Sequence, residues 1–176
     1  MSQQENNSPI IPRIKKVSES CVEDHTYKIF PNDLNSNDTV FGGLVMAILD
    51  RVACVAAERH AERVCVTVSV DSMHFLAPAR KGEVLVFKAA VNRSWTSSME
   101  VGVRVVAENS TTRQVKHILS AYLTFVALDA HGKPAQVPVL KPDTKIEVRR
   151  YEEAGRRRDL RQKERSEIRQ IRLSNN

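Results

Sequence analysis

The sequence predicts an α+β domain in which an antiparallel sheet wraps one central, apolar helix. Residues 43–60 are almost continuously apolar, so a helix there must be buried on most sides. Four later runs alternate with a period of two between turn signals, which is the pattern of strands. The order is one strand, one helix, then four consecutive strands, so a single helix is segregated from a sheet of neighbours. A sheet curled round one helix keeps long edge strands, and such edges invite pairing between copies of the chain. A dimer at least is therefore expected.

Residues 1–20 are polar, carry Pro9 and Pro12, and read as a loose arm. DHTYKIF (24–30) reads as the first strand, stopped by Pro31. Residues 31–40 are dense in Asn and Asp, whose side chains favour turns by bonding their own backbone. The helix is expected from Gly43 to His60. VCVTVSVDSMHFL (64–76) follows, with Val64, Val66, Val68 and Val70 on one parity. After a break at Pro78 to Gly82 come EVLVFKAAVNRSW (83–95), SMEVGVRVVAEN (98–109) and VKHILSAYLTFVALD (115–129), closed by the turn AHGKP. In 98–109, Met99, Val101, Val103 and Val105 alternate with residues that include Glu100 and Arg104. One domain over 21–140 is expected, followed by a charged tail over 141–176 that is helical in part.

The net charge of +6 is concentrated in that tail, where residues 141–176 hold twelve Lys+Arg and seven Asp+Glu. Its only aromatic residue is Tyr151, so no stacking platform interleaves with the basic residues and no nucleic-acid partner is expected. Opposite charges at Glu153–Arg157 and Arg161–Glu164 suit a solvated helix face. No apolar run is long enough to span a bilayer, and the N-terminal residues lack an apolar signal core. A cytoplasmic protein without membrane insertion is expected. Cys21, Cys54 and Cys65 form no disulfide framework, and no CxxC or HxxxH spacing is present. Neither metal nor cofactor is expected. The five histidines, His25, His60, His74, His117 and His131, show no catalytic pairing.

The chemistry is concentrated in PNDLNSNDTVFGGLVMAILD (31–50). Asp50 is a lone acid on a helical stripe of Gly43, Met46, Ala47, Ala53, Cys54 and Ala57. A carboxylate in apolar surroundings is costly unless it is bonded or has a task, and it suits a general base. Gly42-Gly43 opens the helix, where free backbone N–H groups favour an oxyanion. Asn35, in the preceding loop, is a candidate for orienting a water. The alternatives are a solvent-facing Asp50, an ordinary turn asparagine and a loop-to-helix junction that needs flexible dihedrals. Trp95 suits either stacking on a base or a structural role, the latter being the plainer reading.

Pro31, Asp33, Asn35, Phe41, Gly42, Gly43, Met46 and Asp50 form a spaced motif that resembles the hotdog-fold acyl-CoA thioesterases, in their cytosolic acyl-CoA hydrolase branch. VTVSVDSMHFLAPARKGE, RSWTSSMEVGV and AYLTFVALDAHGKPAQVP resemble later segments of that family, so the likeness spans roughly 22–140. The resemblance implies hydrolysis of acyl-CoA to a fatty acid and CoA, with CoA as part of the substrate. It implies Asp50 as base or nucleophile, the Gly43 N–H as oxyanion donor and Asn35 holding the water. Phe41, Gly42, Arg80, Lys81, Ser97 and Ser98 are then expected to contact the substrate or CoA, with Arg93 a weaker candidate. It further implies homodimers with shared sites, the Gly43–Asp50 helix from one subunit and the Asn35 loop from the other, assembled as a trimer of dimers. One departure is Asp38, where many members carry Gly. A non-catalytic acyl-CoA sensor of the same fold is the alternative. A dehydratase is disfavoured because no His shares the Asp50 face.

Overall fold

The computed structural model describes residues 13–174. Helix α1 (Gly42–Ala61) lies against a five-stranded antiparallel sheet built from β2 (Val22–Lys28), β3 (Cys65–Phe75), β4 (Glu83–Ser94), β5 (Ser98–Asn109) and β6 (Val115–Ala127). The strand order is β2-β4-β5-β6-β3, so β2 and β3 are the edges. The expected helix and four later strands are all present, with ends moved by one or two residues, while the first strand starts and stops two residues earlier than expected.

The core lies between α1 and the sheet face it covers. Val45, Leu49, Val52, Ala53, Ala56 and Ala57 of α1 are buried there. They meet Phe87 of β4, Met99 and Val103 of β5, and Leu123 and Phe125 of β6. Each large side chain so buried contributes about 1.5–3 kcal/mol relative to exposure. The three alanines let the helix approach the sheet closely. Glu62, in the left-handed region at φ 54°, ends α1 by donating its N–H to the Glu58 carbonyl.

Three expectations change. Part of the predicted N-terminal arm is structured: β1 (Ile14–Lys16) pairs in parallel with β7 (Val139–Lys141), while residues 1–12 lie outside the described residues. The pairing closes the chain past the AHGKP turn and is invisible to any local pattern. Next, β3 does not alternate strictly, because its register with β6 shifts twice, between Thr67 and Ser69 and between Val70 and Ser72.

The third concerns the tail, which is one helix, α2 (Lys145–Ser174), whose first half packs on the outer sheet face. Ala154 is fully buried, and Arg93 sits against Tyr151 with its guanidinium 4.4 Å from the ring centroid. Gly155 makes room for it, since a Cβ there would fall 2.3 Å from Arg93 Nη1. Arg157 forks onto Glu100, with Nε 3.1 Å from Oε2 and Nη2 2.7 Å from Oε1. Arg161 pairs inward with Asp71 at 3.0 Å, not along the helix with Glu164. The tail is thus a solvated face only in its second half. Arg157 and Arg161 are half-buried because their partners Glu100 and Asp71 lie on distant strands, and Arg157 also keeps Glu153 within 3.9 Å.

Candidate active site

Loop 31–41 is a closed structure. Tyr27 Oη and the Phe30 N–H donate to the two carboxylate oxygens of Asp33. Asn35 Oδ1 accepts from the Asn37 N–H at 2.9 Å and from the Thr39 N–H at 3.3 Å, and its amide nitrogen donates to Thr39 Oγ1 at 3.0 Å. Asn35 therefore shapes its own loop, and one amide hydrogen is left for a ligand. Asp38 occupies the left-handed region at φ 55°, which accounts for a Gly being suited to this position. The loop is clamped to the following turn by the Thr39–Arg80 bridge and by the Val40 N–H donating to the Ala79 carbonyl at 2.8 Å. In that turn Gly82 has φ 84°, a backbone shape that favours glycine.

The loop runs directly into α1. The Leu44 and Val45 N–H groups donate to the Phe41 carbonyl, whereas among the described residues the Gly42 and Gly43 N–H groups have no acceptor. The half-exposed Phe41 ring stands over Gly43, where a Cβ would fall 2.5 Å from a ring carbon. Phe75 approaches Gly42 in the same way, at 3.5 Å. Two free donors at a positive helix end, walled by two exposed phenyl rings, suit an anionic or carbonyl oxygen attached to an apolar chain.

Asp50 lies seven residues further along the same face. Its Oδ1 accepts a 2.7 Å hydrogen bond from Thr67 Oγ1 on β3. One turn before it on the helix is the exposed Met46, and the exposed Val70 of β3, opposite Leu123, faces the same side of the sheet. Thr67 was not singled out in the sequence; it lies on another element, and nothing local marks a threonine in a valine-rich strand as a partner of Asp50.

The structure separates the candidate residues into two groups. Asn35, Phe41, Gly42, Gly43, Arg80 and Lys81 gather at the N-terminal end of α1. Asp50 and Thr67 sit about 10 Å further along the helix axis, at 1.5 Å per residue. Ser97 and Ser98 lie at the far end of β4 from Arg80, about 37 Å away along twelve residues of strand. Ser97 is next to β6, its carbonyl accepting from the Ala127 N–H. Arg93 is packed beneath α2. Trp95 is held there too, with the Arg158 guanidinium 4.4 Å from its ring centroid, which gives it a structural contact.

The thiols are poorly suited to attack. Burial pushes Cys65 up to about 12 and raises Cys54 as well, so both stay protonated near neutrality. Among the described residues no group of three His, Cys, Asp or Glu side chains is placed to hold a metal ion. No helix among them is long and apolar enough to cross a membrane. A groove of about 570 Å³ lies on the other side of the sheet, under α2, lined by residues that include Lys88, Arg104 and Arg150. It touches none of the candidate residues.

A thioesterase superfamily model matches residues 37–113, which include Gly42, Gly43, Asp50 and Thr67. An uncharacterised acyl-CoA thioester hydrolase of Bacillus subtilis is 39% identical over 132 residues, 75% of this chain and 77% of that one. This chain belongs to the thioesterase superfamily. Its place within the superfamily is the acyl-CoA thioester hydrolase branch, and its sheet wrapped round α1 is the hotdog fold. Among solved structures, an acyl-CoA hydrolase of Staphylococcus aureus bound to butyryl-CoA, CoA and CoA disulfide is 37% identical, with a TM-score of 0.83 over 92% of this chain and 98% of that one. Variants of that hydrolase replace an asparagine, an aspartate or a threonine by alanine; the aspartate follows the asparagine by fifteen positions, and the threonine follows the aspartate by seventeen. An apo acyl-CoA thioesterase, also 37% identical, is hexameric, with a TM-score of 0.84 over 86% of this chain and 97% of that one.

Proposed function

We propose that this thioesterase hydrolyses acyl-CoA to a free fatty acid and CoA in the cytosol, with Asp50 activating the attacking water. The observation that carries the reading is the Asp50–Thr67 pair, a half-buried carboxylate held by a 2.7 Å hydrogen bond from the neighbouring strand. Asn35, Asp50 and Thr67 stand at the same two intervals, fifteen and seventeen, as the residues replaced in the staphylococcal enzyme, which supports their assignment.

In this scheme the Gly43 N–H, assisted by Gly42, binds the thioester oxygen and stabilises the charge that develops on it. One such donor contributes about 2.7–4 kcal/mol. Asn35 donates its remaining amide hydrogen to the water. Asp50 takes the proton from that water as it attacks the carbonyl carbon; the C–S bond then breaks and CoA leaves as the thiol. Attack by Asp50 itself, through a mixed anhydride that water then opens, uses the same groups. CoA belongs to the substrate, and the scheme needs no other cofactor.

A reacting centre must lie about 3 Å from both the base and the oxyanion donors. Gly43 and Asp50 are too far apart along one helix to serve the same carbonyl. The site therefore joins Asn35, Gly42 and Gly43 of one protomer to Asp50 and Thr67 of its partner. This differs from the division expected from the resemblance, and the reason is helical rise. Pairing across the β3 edge fits it. Val64, Val66, Val68, Val70 and Phe75 are exposed along this strand, whose outer edge has no neighbour among the described residues. Antiparallel α1 helices related by a two-fold near Met46 and Ala47 would bring each Gly43 towards the opposite Asp50. Arg80 and Lys81 then approach the phosphates from one protomer, with Ser97 and Ser98 on the other. The hexameric relative supports a trimer of such dimers.

The test is thiol release from a panel of acyl-CoAs by the wild type and Asp50→Ala. Release that disappears in the variant supports the reading. Release that persists removes Asp50 from the chemistry, and wild-type CoA binding without release points to a sensor.

A further inference from the structure

We infer that Arg161, on the C-terminal helix, is a positioning residue for the Thr67–Asp50 pair and acts by holding the two bulges of β3. The inference rests on the proposed role of Asp50.

In a regular strand Thr67, Ser69 and Asp71 would face the same side. Here they do not. Thr67 is opposite Phe125, which points into the core, and it donates to Asp50 on α1. Ser69 is opposite Thr124, which points to the other face. The register shift between them leaves Val68 without a partner and reverses the parity; a second shift leaves Asp71 unpartnered in the same way. Such bulges bend a strand and re-aim its side chains. Without them, Thr67 could not face Asp50 while Ser69 and Asp71 face α2.

The outer side of the bulged stretch is held by charge. Asp71, with its side chain only 3% exposed, accepts from Ser69 Oγ and Thr124 Oγ1, each at 2.6 Å. Arg161 Nη1 lies 3.0 Å from Asp71 Oδ2 and 3.7 Å from Glu100 Oε2, and Nη2 donates to Thr124 Oγ1 at 3.4 Å. Glu100 is fully buried and is also held by Asn92 and Arg157. Two buried carboxylates thus face two guanidinium groups, and among the described residues Arg161 alone touches both acids. Removing it leaves Asp71 buried without its counter-charge, a state that favours rearrangement of β3 so that Asp71 reaches water. Thr67, four residues away across both bulges, would then lose its aim.

The experiment is a double-mutant cycle on kcat with Arg161→Met and Thr67→Ala, made in the full chain, with folding and oligomeric state checked on each variant. Arg161→Met is expected to lower kcat about tenfold, equivalent to ~1.4 kcal/mol, and to change KM less than about twofold. In the Thr67→Ala background the same change should have almost no further effect, because it acts through Thr67. Arg161→Lys should recover most of the loss. Arg158→Met, which loosens α2 at Trp95 without touching β3, should leave kcat within about twofold of wild type. Asp71→Asn keeps the shape of the carboxylate and carries the same cycle if Arg161→Met does not fold. Full kcat in a folded Arg161→Met, or equal losses with and without Thr67, would overturn the inference. If Asp50→Ala is inactive while Arg161→Met is fully active, only the positioning role fails. If Asp50→Ala is active, the assignment of the site fails.

Discussion

The two faces of the sheet are built on opposite principles. The face under α1 is packed with apolar side chains, and one carboxylate, Asp50, stands at its margin. The face under α2 is held by Glu100, Asp71, Arg157 and Arg161, with Asn92 and Tyr122 around them. Burial of apolar surface is non-directional and tolerates small shifts. Buried ion pairs depend on geometry, and they fix the position of what they join at little net gain in stability. The first face therefore supplies most of the stability, while the second sets how the edge strand and the C-terminal helix are placed.

The largest effect is expected from Asp50→Ala. It should lower turnover by about 10²–10⁴-fold, the usual contribution of a general base, while the thermal midpoint stays close to that of the wild type. A large fall in that midpoint would make Asp50 a structural residue and erase the distinction between core and site on the inner face.

Next is a matched pair of truncations. Leu123→Ala on the inner face should cost about 2.7–5 kcal/mol through lost burial and the cavity left behind. Glu100→Ala on the outer face should cost about 3–5 kcal/mol, because it leaves a partly buried guanidinium without its partner. The two differ in rescue. Replacing Glu100 and Arg157 together by apolar residues of similar volume should recover much of the loss, whereas no second polar change repairs Leu123→Ala. Denaturant unfolding of the single and double variants measures both.

A smaller effect comes from His60, at the C-terminal end of α1. It is fully buried, with Nε2 3.0 Å from the Pro138 carbonyl and Nδ1 without a partner among the described residues. Burial holds the imidazole below its ordinary value of 6.5, against the opposing pull of that carbonyl. The folded protein therefore binds this proton less readily than the unfolded chain does. The stability it contributes is complete above about 6.5 and is lost as the pH falls from there through the lowered native value. Thermal midpoints measured across that range should decline towards acid, and His60→Gln should flatten the decline.

The smallest effect is at Asp38. Asp38→Val, which puts a β-branched side chain in the left-handed region, should cost about 1–2 kcal/mol, while Asp38→Gly should be close to neutral. Equal stability of the two would show that the loop adjusts its backbone at this point.

Features whose cause is local or periodic were legible in the residues alone. The unbroken apolar run of 43–60 required a buried helix, and alternation such as Met99, Val101, Val103 and Val105 marked the sheet and its inner face. Asp50 stood out as a lone acid on a small-residue stripe, and Gly42-Gly43 as a helix start with free donors. Tertiary structure alone decided what depends on contact between distant residues. Thr67 became the partner of Asp50 because it shares the inward side of Cys65, while the bulge after it turns Ser69 to the other face. The parallel pairing of β1 with β7 joined segments more than 120 residues apart. Arg157 and Arg161 carried the same local signal as any exposed pair on a charged helix, and only the approach of β3 and β5 made them half-buried anchors of buried acids. Hydrophobic periodicity is written along the chain, whereas the partner of a charge is set by which elements the fold brings together.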